Sequence, residues 1–126
     1  MINVIDIELW GRCFSLEVEY DRYAGESVTQ KQIKAFESFR QHPEWIEKAK
    51  MHVEDFCRPN VECDDENQKK DNIFSYIKPI GIFVKRDDEK SRIAIMCKYR
   101  YDPEHGLAVV FDKHGKVTVG IQDIII

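Results

Sequence analysis

The chain has 126 residues, a length typical of one domain, and 43% of them are hydrophobic. That apolar content can build a core, which excludes a disordered or low-complexity chain. The 19 basic and 23 acidic side chains give a net charge of −4, which argues against binding along a nucleic-acid backbone. No apolar run is long enough to span a membrane. From the net charge we expect no nucleic-acid partner, and from the lack of such a run we expect no membrane partner.

The first residues do not resemble a secretory signal peptide. They contain no basic start, and Asp6 and Glu8 interrupt the apolar stretch. We therefore expect a cytoplasmic protein whose thiols stay reduced. No two of the four cysteines form a Cys-x-x-Cys pair, so the sequence predicts buried, inert thiols and neither a metal nor another cofactor. These cysteines are Cys13, Cys57, Cys63 and Cys97.

Two alternating segments come first in the chain. Apolar and polar side chains alternate over residues 14–21, which is typical of a strand with one solvated face. Residues 3–9 show a weaker version of the same pattern. Gly11 between the two segments fits a tight connection, so we predict a β-hairpin. The outward-facing acidic residues of its second strand are Glu17, Glu19 and Asp21.

A helical pattern follows, in two parts. Thr29 precedes Gln32 by three residues, as in a capping box, and an apolar stripe then runs along residues 33–39. Pro43 suits the first position of a second helix, where its missing N–H is not needed. That second helix carries its own stripe, and the sequence Arg58-Pro59-Asn60 is predicted to end it. The stripe consists of Ile46, Ala49, Val53 and Phe56.

The rest of the chain alternates a polar segment with strands. Residues 60–72 are predicted to form a solvated loop. Pro79 is interpreted as a strand start or a sheet edge, followed by alternating Ile80, Ile82 and Val84. A long strand over 92–101 and a hairpin closed around His114-Gly115 come next. The isoleucine-rich C-terminus is predicted to be packed, because exposed isoleucines promote aggregation.

The order of these elements predicts the fold class. Strands and helices occur in separate runs, and no linker divides residues 1–126, so we expect one α+β domain. It would consist of an N-terminal β-hairpin, two helices, and then a mostly antiparallel β-meander with the helices packed on one face.

The C-terminal third contains a recognisable signature. The sequence Asp-x-Glu-His-Gly-Leu over residues 102–107, followed by a strand, a glycine turn and Gly-x-Gln-Asp over residues 120–123, resembles a family of small bacterial domains of unknown function. The family often has Trp where this chain has Tyr101, which keeps the aromatic character. The resemblance implies a compact α+β bacterial protein and no established reaction. Some domains of this kind look like the immunity partners of secreted toxins.

The residues with the greatest chemical potential lie in this signature. The carboxylate of Asp102 or Glu104 could orient the imidazole of His105 for general-base catalysis. Alternatively, the three side chains could hold a divalent metal. Consecutive residues of one turn rarely converge on one centre, however. The favoured interpretation is structural: Asp102 caps a turn, and Gly106 takes a conformation that other residues avoid. We expect the turn to join two adjacent antiparallel strands, 92–101 and 107–111.

The sequence also suggests where a partner would bind. The acidic residues of the polar segment have little basic charge nearby, which suggests a cationic partner. We therefore predict a non-enzymatic cytoplasmic binding protein, in the first place an immunity protein that neutralises a toxin with a basic surface. The alternatives are a small metal-dependent or hydrolytic enzyme using the residues of the turn, and a regulatory protein-interaction module. The candidate contact residues are Glu62, Asp64, Asp65 and Glu66, and after them the outward-facing Glu17, Glu19 and Asp21.

Overall fold

The computed structural model describes residues 4–62, 73–86 and 89–126. The strands of this part of the chain are β1 (Val4–Leu9), β2 (Arg12–Tyr20), β3 (Ile77–Val84), β4 (Ile93–Tyr99), β5 (Leu107–Phe111) and β6 (Val117–Gly120). The helices are α1 (Gln30–Gln41) and α2 (Glu44–Glu62), with short 3₁₀ helices over Ile73–Tyr76 and Gln122–Ile124. The predicted α+β order of hairpin, two helices and further strands is confirmed.

The described strands form one sheet in the order β1-β2-β3-β4-β5-β6. Neighbouring strands are antiparallel except for β2 and β3, which are parallel. The chain between these two strands runs through α1 and α2, and such a long crossover lets the second strand point the same way as the first. The mostly antiparallel meander is therefore confirmed, with one parallel pair that the sequence did not indicate.

The β1–β2 hairpin turns on two residues with positive φ. Trp10 has φ 51° and Gly11 has φ 86°, the combination that matches the twist of a two-residue hairpin. This conformation is unfavourable for tryptophan, and tertiary contacts compensate for it. The indole Nε1 of Trp10 donates to the Ile46 carbonyl at 2.9 Å, and its ring stacks on Phe74 with 4.8 Å between centroids.

The main core lies between the sheet and the two helices. The capping box predicted at Thr29 is present: its hydroxyl accepts from the Gln32 backbone N–H at 3.1 Å, and the Gln32 side chain accepts from the Thr29 N–H at 3.0 Å. The buried amide of Gln32 also donates to the carbonyls of Asp21 and Val84, joining α1 to the ends of β2 and β3. The predicted stripe of α2 is buried except for half-buried Phe56.

Helix α2 differs from the prediction at both ends. It begins at Glu44, one residue after Pro43, and it continues through Pro59 to Glu62 instead of ending at Arg58-Pro59-Asn60. Pro59 removes one backbone hydrogen bond, but contacts on both sides hold this last turn on the sheet. Cys57 is fully buried, and the Asn60 amide donates to the Tyr99 hydroxyl at 2.8 Å.

Strand β3 also differs from the prediction. It begins at Ile77, so Pro79 lies inside the strand, where β2 does not pair with it because the parallel ladder covers only Gly81–Val84 of β3. The ladder to β4 is irregular between Pro79 and Gly81. This bulge shifts the alternation by one residue, so Ile80 does not share the buried face of Ile82 and Val84 and is 42% exposed.

Three smaller corrections concern the later strands, the tail and the thiols. Strand β4 ends at Tyr99 rather than at residue 101. Ile125 is buried, but Ile124 and Ile126 remain exposed, so only one tail isoleucine is fully packed. Cys13 is exposed because it lies on the sheet face away from the helices, whereas burial raises the pKa of Cys57 and Cys97. Cys63 lies outside the described residues.

Candidate functional site

The turn at residues 102–106 joins β4 to β5, which are adjacent and antiparallel as predicted. The Asp102 carboxylate accepts from the His105 backbone N–H at 3.2 Å and lies 3.0 Å from the His105 Nδ1. The Gly106 N–H donates to the Asp102 carbonyl at 2.8 Å. The same carboxylate therefore caps the turn and orients the imidazole.

The electrostatics of this turn favour a charged histidine. The hydrogen bond that the His105 imidazole donates to Asp102 raises the pKa of the exposed His105, and the negative charges of Asp102, Glu104 and Asp123 raise it further. Glu104 is exposed. Among the described residues, no three His, Cys, Asp or Glu side chains lie close enough together to hold a metal ion. The turn brings the Asp102 carboxylate and the His105 imidazole into direct contact.

The rest of the signature explains why glycine occupies position 106. Gly106 has φ 64°, and a Cβ there would lie 2.6 Å from the Gln122 Nε2 and 2.7 Å from the Cys97 carbonyl oxygen. Gln122 donates from that Nε2 to the Cys97 carbonyl at 3.1 Å and from its backbone N–H to the His105 carbonyl at 3.1 Å. The two separated parts of the signature thus contact each other beside the end of β4.

The glycine of the second turn in the signature, Gly115, also cannot be replaced by a larger residue without a clash. Gly115 has φ 81°, and a Cβ there would overlap the indole of Trp45. The His42 ring stacks on the same indole, with 4.6 Å between the two ring centroids. Its Nδ1 lies 2.7 Å from the Ser38 carbonyl, to which it donates. Both signature turns therefore have packing roles.

The acidic segment proposed from the sequence is only partly described. Glu62 is the last residue of α2. Asp64, Asp65 and Glu66 lie outside the described residues. Partner binding by this segment stays a prediction.

A different candidate lies on the face of the sheet opposite the helices. An open groove of about 760 Å³ runs across β2 and β3. Gln122, which follows β6, lines it from the β4 side. The residues that line the groove are Glu17, Val18, Glu19, Tyr20, Arg22, Val28, Ile80, Gly81, Ile82, Phe83, Met96 and Gln122.

The strand register explains the composition of this groove. Leu16 and Val18 point into the core, so Glu17 and Glu19 point to the other face. The parallel ladder places Glu17 opposite Gly81 and Glu19 opposite Phe83. Because Gly81 has no side chain, the sheet surface has a depression beside Glu17.

Apolar side chains accompany these carboxylates. Phe83 packs in a small second cluster of buried residues on this face, and Met96 lies partly buried against it. The bulge exposes Ile80 at the end of the groove. The groove therefore combines an apolar floor with a carboxylate rim.

The carboxylates of this face differ in their pairing. Asp21 lies 3.6 Å from the Lys85 ammonium and accepts from the Arg86 backbone N–H at 3.3 Å. Within the described part of the chain, neither Glu17 nor Glu19 has a cationic group within 4.0 Å. Of the outward-facing trio predicted from the sequence, the structure brings Glu17 and Glu19 to the groove and engages Asp21 in local contacts. The alternation of β2 was the sequence signal that predicted Glu17 and Glu19 on this face. The position of Ile80 in the groove depends on the bulge in β3, which the sequence pattern did not predict.

The comparisons with known proteins identify the family and give no function. A family described as a domain of unknown function, DUF6985, matches residues 3–126. The chain therefore belongs to this family. No protein with a curated function and no solved structure matched the chain. No helix of the described residues is long and apolar enough to cross a membrane.

Proposed function

We propose that this member of a domain family of unknown function is a non-enzymatic binding protein that engages a partner protein with a basic surface. The groove with Glu17 and Glu19 on its rim carries the proposal. We assign the contact to this face in preference to the helix face, because α1 and α2 already cover the other side of the sheet.

Two physical properties of the groove support a protein partner. Arg22 also lines the groove, but within the described residues neither Glu17 nor Glu19 forms an ion pair. Such carboxylates create a negative potential, which accelerates the encounter with a basic surface and selects against acidic ones. Exposed Ile80 and the floor at Phe83 and Met96 offer apolar area that a partner side chain could desolvate. Affinity at protein interfaces usually comes from such a central apolar contact with a charged rim.

A toxin is the partner class that we favour. Toxins that cleave or bind nucleic acid need a cationic cleft, and an acidic groove both attracts such a cleft and occupies it. Some of the small bacterial domains that this chain resembles look like immunity partners, which supports this choice. We therefore propose a cytoplasmic immunity protein, and a regulatory interaction module is the outcome if the partner is not toxic.

The enzyme alternative lacks a comparable observation. The Asp102 carboxylate already binds a backbone N–H and the imidazole of its own turn, and Gly106 is tied to Gln122. These contacts account for Asp102, His105 and Gly106 without a substrate. We therefore place the function at the groove.

The experiment compares three forms of the protein as bait in lysate of the cells that naturally make it. The forms are the wild type, the groove variant Glu17→Lys/Glu19→Lys, and the control Glu37→Lys/Glu47→Lys, whose exposed residues lie on the helices. Both variants change the net charge equally. We expect one basic protein to be retained by the wild type and the control, and to be lost by the groove variant.

Expression of the retained protein then tests the immunity role. If it arrests growth and co-expression of the wild type restores growth, the partner is a toxin. The groove variant should fail to restore growth while the helix control succeeds. Equal retention by all three forms, or loss with the helix control alone, would overturn the assignment to this face.

A further inference from the structure

A second feature of the open sheet face has the opposite charge. Lys78 of β3 and Lys98 of β4 are directly opposite each other in the antiparallel ladder. Both are exposed, and their neighbours along each strand, Ile77 and Cys97 among them, are buried toward the helices. The two ammonium groups therefore project from the same side of the sheet.

Such a pair is unfavourable without an anion. Residues directly opposite each other in an antiparallel pair have Cβ atoms about 5 Å apart, and like charges there repel. Within the described residues, no carboxylate lies within 4.0 Å of either ammonium group. In a chain with a net charge of −4, two adjacent lysines are thus a local reversal of the overall charge.

A third cation completes the cluster. Arg100 follows Lys98 by two residues, and its backbone N–H donates to the Tyr76 carbonyl at 3.0 Å, which continues the ladder beyond β4. The Arg100 guanidinium carbon lies 5.7 Å from the centre of the Tyr76 ring. Because Tyr76 is itself buried against Tyr101, this ring is a fixed support for the guanidinium.

The three cations line an open hollow on the protein surface. Its volume is about 440 Å³, and Ser75, Tyr99 and Pro103 contribute to its walls. Ligand pockets of small molecules have volumes of about 300–1,000 Å³. None of the residues lining this hollow lines the groove proposed above.

We propose that Lys78, Lys98 and Arg100 form a binding site for a compact phosphorylated ligand. A guanidinium binds phosphate with two parallel hydrogen bonds, and ammonium groups bind it as point charges. A phosphate group with two negative charges would relieve the repulsion between the two lysines. The site is independent of the groove, so its test does not depend on the partner protein.

Pyrophosphate is the probe, with sodium chloride at matched ionic strength as the salt control. We expect pyrophosphate to raise the Tm of the wild type above the salt control. Lys78→Gln/Lys98→Gln should weaken the apparent affinity by about tenfold or more, since two of three charge-assisted contacts are lost. Without pyrophosphate this variant should have a Tm equal to or above that of the wild type, because the repulsion is gone. Lys116→Gln, an exposed lysine outside the cluster, should behave like the wild type.

A titration of the wild type by NMR locates the binding without any substitution. The backbone amide signals of Lys78, Lys98 and Arg100 should move with a single binding curve. Unchanged signals at these residues, or an equal Tm increase in the lysine variant, would overturn the proposal. Affinity for a single-stranded oligonucleotide that rises with its length, without binding of pyrophosphate, would also overturn it in favour of a nucleic-acid surface.

Discussion

The two faces of the sheet are closed to different extents. On one face α1 and α2 pack against the sheet, and apolar residues of the helices and strands form the main core. On the other face a small cluster of Phe83, Ala94, Ala108, Val110 and Ile125 closes only the part over β3, β4 and β5. Strands β1 and β2 carry carboxylates there instead.

The difference shows that one part of the sheet face away from the helices is covered and that another part is not. Small side chains at Ala94 and Ala108 let Ile125 of the C-terminal segment pack closely on the sheet. Where this cover ends, beside Gln122, the groove begins. The covered part of this face therefore stabilises the fold, and the uncovered part is where we propose that the partner binds.

The largest expected effect belongs to the turn that anchors the C-terminal segment. Gly106→Ala combines a positive φ with overlap against Gln122 and the Cys97 carbonyl, so we expect a loss of about 3 kcal/mol or more in the free energy of unfolding. Gly25→Ala is the control: Gly25 also has a positive φ, 83°, but a Cβ there meets no atom within 4 Å. It should cost only about 1 kcal/mol of conformational strain. Equal losses in urea denaturation would show that Gln122 does not constrain the turn.

Removing the cover of the small cluster should have the next largest effect. Ile125 is 1% exposed, and Ile125→Ala should destabilise the protein by about 2–3 kcal/mol through lost burial and a residual cavity. Ile126→Ala is the matched control, since that side chain is 65% exposed. A stability loss for Ile126→Ala as large as that for Ile125→Ala would contradict the packing described for the tail.

The charged pair of the 102–106 turn should produce a pH-dependent effect. Asp102 raises the pKa of His105 in the folded protein above its value in the unfolded chain. The pair therefore stabilises the fold fully below the unfolded pKa of about 6.5, and this contribution is lost as the pH rises through the folded pKa. The Tm difference between the wild type and His105→Ala should be larger at pH 5.5 than at pH 8.5. A difference that is constant with pH would mean that the charge of His105 is not engaged.

The smallest effect on stability is expected for the groove residues Glu17 and Glu19, on the sheet face opposite the helices. Glu17 and Glu19 are exposed and, in the described part of the chain, without ion pairs, so Glu17→Lys/Glu19→Lys should change the free energy of unfolding by less than about 0.5 kcal/mol. Thermal denaturation at low and moderate salt measures this. A loss of more than about 2 kcal/mol would assign these carboxylates a structural role.

The sequence was informative where the pattern is local. Alternation in β2 and the stripe in α2 predict which side chains are buried, and the Thr29–Gln32 spacing predicts the helix start. The order of elements predicts the layers. Each of these signals depends only on residues within a few positions of one another, which is why single-sequence reasoning captures them.

Features that depend on tertiary contacts were missed. Helix α2 passes Pro59 because Cys57 and Asn60 bind the sheet, and the parallel β2–β3 pair depends on where the crossover ends. The bulge before Gly81 changes the side on which Ile80 lies, so alternation alone could not place Ile80 in the groove. The candidate turn was placed correctly because the positive φ of Gly106 and the capping by Asp102 are local features, whereas the contact of Gly106 with Gln122 was not predicted.

The association rate with the basic partner tests the central claim most directly. It is measured at two ionic strengths for the wild type, for Glu17→Lys/Glu19→Lys, and for Asp64→Lys/Asp65→Lys in the polar segment. We predict that the groove variant associates more slowly and loses most of the salt dependence of the rate, while the segment variant changes less. An unchanged rate and salt slope in the groove variant, with slowed association in the segment variant, would contradict the account and place the contact on the acidic segment.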